Sequence, residues 1–457
     1  MVLALGVLVF ALTLLVNGGT IYSSDGISTY EVAKSVVEDG DVAITHGVVW
    51  QGRDGRYYSP FGIGQSLIAL PVYFLIRPIS ELTSEPERVA QAGVAALMPL
   101  IAALISVAMY RLARRLGGNQ QSSAVVAVGA VAGTFLLAYS KDFLSEPLTT
   151  LFVVLAVERA LAGRPVASGA AAAGALVTRP QFLAFAPLFL WRTQRDGGWP
   201  AFFRAIAPLS LGLLIDLGYN VLRFGSPTNF GYSDPNLKQG FTTPFYEGAA
   251  GLLFHPQKSI FLFAPIVFLL VPALRRLWAT QRSGFWLLTG NLAITFTLSA
   301  TWWDWGGGWL WGPRLLIPGV IPALASIASW ADAGRARAKR TAVLLFFAFG
   351  ALVSAPALVA PIGALLAQPN PPERGPSVIG TCELLPDAVD FTAHHLYERN
   401  VRDASLYLPL WQVALARRTG HAGALLALGV SVLLLLASIF AARGVRVSAQ
   451  RAPPVPP

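Results

Sequence analysis

Apolar runs close to the length of a bilayer crossing recur along the whole chain. They fall at about 3–19, 89–112, 122–140, 146–162, 200–222, 256–274, 284–302, 315–331, 341–366 and 421–442. A helix needs roughly 20 mostly apolar residues to cross the hydrocarbon core. The pattern therefore predicts an all-α polytopic membrane protein with about 10–11 transmembrane helices. Two further runs, 61–78 and 168–190, are apolar but do not fit a simple crossing.

Basic clusters orient the spans. "RLARRLGG" (111–118), "GRP" (163–165), "WRTQR" (191–195), "RRLWATQR" (275–282), "GRARAKR" (334–340) and "RGVRVSAQR" (443–451) are expected on the cytoplasmic side. With the first span running inside to outside, 61–78 cannot cross without exporting "RLARR". It is predicted to be an interfacial or re-entrant segment on the external side. The 168–190 run has basic clusters at both ends and is broken by "TRP" (178–180). It predicts a re-entrant hairpin of two half-helices, tolerable where protein buries it. Three units follow: a transmembrane module over 1–366 with an external loop at 20–60, an external loop or small subdomain over 367–420, and a last helix with a cytoplasmic tail over 421–457. "ARR" (416–418) falls externally, which an interfacial helix over "LWQVALARR" would accommodate.

Composition agrees with the pattern. Apolar residues make up 54% and charged residues 13%, with a mean hydropathy of +0.56. A soluble domain carries about 25% charge. The net charge of +10 follows from basic cytoplasmic loops and implies no nucleic-acid partner. The single cysteine, Cys382, excludes an internal disulfide and a cysteine-based zinc site. Met1–Gly18 lacks a basic leader and a small-x-small cleavage site, so an uncleaved first span is expected. Abundant Arg, Ala and Gly fit a high-GC bacterial genome.

The external loops carry the candidate chemistry. "STYE" (28–31) matches a capping box, with Ser28 as N-cap and Glu31 at N3. A short amphipathic helix to about Glu38 follows. Asp25 precedes it, beside Gly26 and near the membrane surface. "VVWQGRDGRYYSP" contains Asp54-Gly55, a hairpin signal. Lys141, Asp142 and Glu146 sit at an external helix end. Five tryptophans (302, 303, 305, 309 and 311) flank Asp304. Either an aromatic belt or a sugar-stacking platform accounts for them.

The first loop resembles the GT-C superfamily, most closely the protein O-mannosyltransferase and aminoarabinose-transferase type. There the loop reads roughly D-E-x-x-Y-x-E-I-A-R, followed by K-P-P-L or K-Y-P-P-G. This chain has "DGISTYEVAK" (25–34) and "YYSPFGIG" (57–64). Asp25 falls on the catalytic aspartate and Glu31 on a later acid. Gly26 replaces the second acid, and Ser59 or its neighbours replace the lysine. "GLLFHPQKSIFLFAP" (251–265) and "WWDWGGGWLWGPRLLIP" (302–318) resemble segments of bacterial members. The resemblance implies a polyprenyl-phosphate sugar donor and an external active site in a bacterial plasma membrane.

Transfer from such a donor needs a base, a cradle for the leaving phosphate and a groove for the lipid. Asp25 is the expected base, with inversion at the sugar. Arg314, Lys258, Arg179 and Arg56 are the expected phosphate ligands, arginine being able to bind bidentately. Arg179 is expected deep in the hydrophobic region, answered by a lipid phosphate or by an internal acid such as Asp216. Asp142, Glu146, Asp304, Trp303 and Tyr58 are candidates for the sugar or the acceptor, which would be a glycan, lipid or protein. No cofactor is certain. A divalent metal is a candidate at His255 with Glu146 or Asp142. The alternatives are a transporter or flippase for a lipid-linked or polar solute, and a polysaccharide polymerase or ligase. The first would call for inverted repeats, which the large first loop argues against. The second would use the Arg- and His-bearing 367–420 loop.

Overall fold

The computed structural model describes residues 1–232, 239–308, 310–359 and 429–445, apart from Ser431 and Leu435. Trp309, the 367–420 segment and the "ARR" cluster lie outside the described residues. The described residues are mostly helical. In order they form α1 (Val2–Val16), α2 (Ser24–Glu38), β1 (Trp50–Gln51), β2 (Tyr57–Tyr58), α3 (Gly64–Ser80), α4 (Pro86–Ala95), α5 (Leu97–Arg115), α6 (Gln120–Ala132) and α7 (Leu136–Tyr139). Then come α8 (Ser145–Leu161), α9 (Pro165–Thr178), a 3₁₀ turn (Pro180–Phe185), α10 (Ala186–Phe224), α11 (Phe245–Phe254), α12 (Ile260–Phe263), a 3₁₀ turn (Pro265–Leu269) and α13 (Leu270–Thr280). After α14 (Arg282–Thr301), a 3₁₀ turn at Arg314–Leu316 leads into α15 (Ile317–Leu324), α16 (Ser326–Ala331) and α17 (Ala336–Val359).

Three helical stretches among the described residues are long and apolar enough to cross a membrane: Pro86–Arg115, Pro180–Phe224 and Ala336–Ala355. Shorter apolar helices include Val2–Val16, Pro165–Thr178 and Arg314–Leu324. The long helices α10 and α17 leave Leu211, Leu214, Leu222, Leu345 and Leu352 exposed, as expected of positions that face lipid.

The 168–190 hairpin extends further than the sequence pattern implied. Ser168 Oγ donates to Ala156 O at 2.8 Å, Gly174 faces Phe152, and Arg179 reaches Glu146. Each later position in α9 meets an earlier one in α8, so the two helices are antiparallel along their whole lengths. Arg179 therefore arrives at the first turn of α8 rather than lying midway along it. The chain then returns through α10 to Gly198, whose φ of 66° breaks the helix. The second half of α10 runs parallel to α9, with Gly169 against Ala205 and Gly212 against Ala173. Small residues at such contacts let backbones approach closely.

The first polar loop folds onto this bundle. α3 lies alongside α2 in parallel. Ser66 Oγ donates to Thr29 O at 2.7 Å near its start, and Tyr73 Oη to Glu38 at 2.6 Å further along. β1 and β2 pair antiparallel, with Trp50 opposite Tyr58 and Gly55 at a φ of 84° in the turn. This is the hairpin that Asp54-Gly55 announced.

Candidate active site

Helix α2 begins earlier than the capping-box pattern predicts. Ser23 is the N-cap and its Oγ accepts from Gly26 N at 3.1 Å. Ser28 is buried inside the helix, where its hydroxyl accepts from Val48 N at 2.6 Å. Asp142 explains the shift. Its carboxylate accepts from the backbone N–H groups of Tyr22 (3.1 Å), Ser23 (2.9 Å) and Phe143 (2.8 Å). The start of α2 is thereby clamped to the turn before α8. Asp142 was expected at the acceptor; the structure uses it to place Asp25 in the first turn of α2.

Four charged side chains from four elements then converge. Arg314 Nη1 donates to Asp25 Oδ2 at 2.8 Å and lies 3.5 Å from Glu146 Oε1. Arg179 Nη2 lies 3.0 Å from the same Glu146 oxygen. The order is Asp25, Arg314, Glu146, Arg179, two negative and two positive. Helix ends favour this distribution. Asp25 and Glu146 occupy first turns, and Arg179 is the C-cap of α9. Glu146 is fully buried, whereas the Asp25 side chain keeps 21% of its exposure, so water or a ligand can reach it. Neither Glu146 oxygen nor Arg314 Nε completes a hydrogen bond among the described residues. A charged cluster with unfilled donor and acceptor positions is chemically prepared for a polar ligand.

Glycines bring the "FGIG" stretch onto this corner. A Cβ on Gly62 would lie 2.5 Å from Val177 O, and one on Gly64 would lie 2.8 Å from Thr178 Cα. Both contacts border Arg179. Arg223 fixes the same stretch from the other side. Buried at the end of α10, it donates to the carbonyls of Ser59 and, at 3.0 Å, Phe61, and to Asn220 Oδ1 at 2.6 Å. Its guanidinium stacks 3.7 Å above the Tyr219 ring.

The remaining predicted residues are placed as follows. Lys258 Nζ donates to the carbonyls of Gly308 (2.8 Å) and Leu310 (2.6 Å), so it holds the loop that delivers Arg314. Asp304 lies within electrostatic reach of both Lys258 and Arg314. Trp303 anchors by its backbone N–H to Gly240 O at 2.8 Å, and its indole Nε1 is buried without a partner among the described residues. Arg56 is exposed and paired with Asp41 and, at 2.8 Å, with Asp54. Tyr58 Oη donates to Asp54 at 2.7 Å. Arg56 and Tyr58 are thus tied into the hairpin, where the Arg56 contact first and the Tyr58 hydroxyl second pull the Asp54 carboxyl down to about 2. His255 accepts from Gln257 N at 3.3 Å and packs edge-on to Trp305. The carboxylate of Glu146, its suggested co-ligand, is taken by two arginines. Among the described residues no group of three His, Cys, Asp or Glu side chains could hold a metal ion. Arg179 pairs with Glu146, not with Asp216.

The other acids of the first loop serve a different face. Glu31 lies 3.7 Å from His46, and Lys34 pairs with Glu87 at 2.8 Å. With Glu38 and Gln91 they line a cavity of about 500 Å³ on the side of α2 turned away from Asp25.

Two residues near the cluster carried no sequence signal that was read. Tyr232 is influenced by Asp25, Arg179, Arg314 and Arg223, and burial together with Asp25 pushes its phenol up to about 12. Arg223 lies in the last turn of α10, the end that the charge pattern predicts to be external, against the usual charge bias. Asking what answers that charge would have singled it out.

The architecture is a helical fold in which three described stretches are long and apolar enough to cross a membrane. A solved structure that shares it is ArnT from Cupriavidus metallidurans bound to undecaprenyl phosphate. The match covers 96% of this chain and 76% of that one, at 14% sequence identity and a TM-score of 0.52. No protein-family profile matches the chain, and no curated protein matches it.

Proposed function

We propose that this chain is an integral-membrane glycosyltransferase. It moves a sugar from a polyprenyl-phosphate donor to an acceptor hydroxyl at the extracytoplasmic face of a bacterial plasma membrane. The observation that carries the reading is the Asp25–Arg314 contact of 2.8 Å, a partly accessible carboxylate against a buried guanidinium whose Nε has no partner among the described residues. The fold shared with ArnT supports it, since that protein was solved with undecaprenyl phosphate.

In this reading the donor phosphate engages Arg314, with Arg179 adding charge. Arginine binds phosphate oxygens through paired N–H groups. Engagement draws Arg314 off Asp25 and frees the carboxylate. Asp25 then takes the proton of the acceptor hydroxyl as its oxygen bonds to the anomeric carbon. The bond from that carbon to the phosphate oxygen breaks, and its electron pair leaves on the polyprenyl phosphate. One displacement inverts the configuration. A positioned carboxylate base contributes about 10²–10⁴-fold. Glu146, fully buried against both guanidiniums, keeps them in place.

The test is transfer by purified protein from a panel of defined polyprenyl-phosphate sugars to extracted envelope glycans and lipids. Wild type is expected to transfer from at least one donor and Arg314→Ala from none. Equal transfer by both would overturn the phosphate assignment.

A further inference from the structure

Aromatic rings from three separate segments meet beside the charged cluster. Trp50 of β1 lies 6.4 Å from Tyr232, ring centre to ring centre. Tyr232 stands edge-on to Trp302 at 5.3 Å, and Trp302 meets Phe241 at 5.1 Å. Tyr232 also lies within the field of Asp25, Arg179 and Arg314. Tyr232 thus joins the ring cluster to the field of the ionised groups. A lipid tail would gain little there, because charges border the rings. A sugar ring suits both sides: its C–H face covers aromatic carbon, and its hydroxyls answer charged and N–H groups. Trp50 Nε1 is a shielded donor with no partner among the described residues, and a hydroxyl oxygen would fill it.

We propose that Tyr232, Trp50 and Trp302 form an aromatic subsite that seats the donor's sugar ring beside the Asp25–Arg314 pair. This deepens the reading above and rests on it. The subsite divides the donor in two: Arg314 and Arg179 take the phosphate, and the rings take the sugar. Sugar-dependent affinity and phosphate-dependent affinity are then separable.

The experiment is a tryptophan-emission titration of the full chain in lipid nanodiscs. The probes are bare undecaprenyl phosphate and the same lipid carrying mannose, glucose or arabinose. At least one glycosylated probe should bind wild type about tenfold more tightly than the bare lipid, the scale of a good aromatic contact. Tyr232→Leu and Trp302→Leu should erase that advantage and leave bare-lipid affinity within about twofold. Tyr232→Phe, which keeps the ring, controls for misfolding and should retain most of it. The proposal is overturned if no sugar improves binding, or if the ring variants weaken bare and glycosylated lipid alike. Arg314→Ala separates the underlying reading. If it leaves bare-lipid binding intact while the ring variants lose the sugar increment, the phosphate assignment fails and the subsite stands.

Discussion

Replacing Glu146 by Gln removes the charge that two arginines share. Its carboxylate lies 3.0 Å from Arg179 and 3.5 Å from Arg314, and it is fully buried. Unit charges about 4 Å apart attract by about 4 kcal/mol at an effective dielectric of 20. Two such attractions are partly offset by desolvation and by repulsion between the guanidiniums. Breaking a buried pair from one side typically costs about 3–5 kcal/mol, because the partner charge stays buried. Glu146→Gln should therefore lose about 3 kcal/mol or more in reversible unfolding in mixed detergent. Removing Arg179 as well should recover part of that loss, giving a coupling energy of about 1–3 kcal/mol in a double-mutant cycle. A loss below about 1 kcal/mol, with no coupling, would refute the claim that Glu146 holds the two arginines together.

Other outcomes follow from the same geometry. Gly62→Ala puts a methyl group 2.5 Å from Val177 O, and it should lower stability by about 1–3 kcal/mol in the same unfolding assay. Lys258→Met strips the part-buried carbonyls of Gly308 and Leu310 of their donor. A cost of about 1–3 kcal/mol is expected, together with weaker undecaprenyl-phosphate binding as the loop before Arg314 loosens. Asp54, held near 2 by Arg56 and Tyr58 against an ordinary 3.8, stabilises the hairpin fully above pH 4. That support should fade as pH falls from about 4 to 2, read as a change in Trp50 emission that Asp54→Asn abolishes.

Membership of the site was partly legible in the chain, because unusual charges in an apolar sequence stand out. Asp25, Arg314, Glu146 and Arg179 could each be picked on chemistry. Their pairing could not, since Asp25 and Arg314 are 289 positions apart and no local pattern encodes such a contact. Arg179 was placed too deep because 14 residues of α9 look like half a crossing. Only its register against α8 shows that they reach the far end. Asp142 looked like a ligand contact because backbone N–H groups leave no trace in a sequence, and three of them consume it. Ser28 outbid Ser23 as a cap for the same reason: the clamp that starts the helix early comes from another segment. Tyr232 was invisible because its significance lies wholly in its neighbours.

The central claim is that Asp25 is the base and Arg314 its phosphate-binding partner. The most direct measurement compares Asp25→Asn with wild type in two assays on one preparation: undecaprenyl-phosphate binding and initial-rate sugar transfer. The amide should leave lipid binding unchanged or tighter, since Arg314 is released, and should cut transfer by about 10²–10⁴-fold. Transfer at the wild-type rate with binding intact would contradict the account.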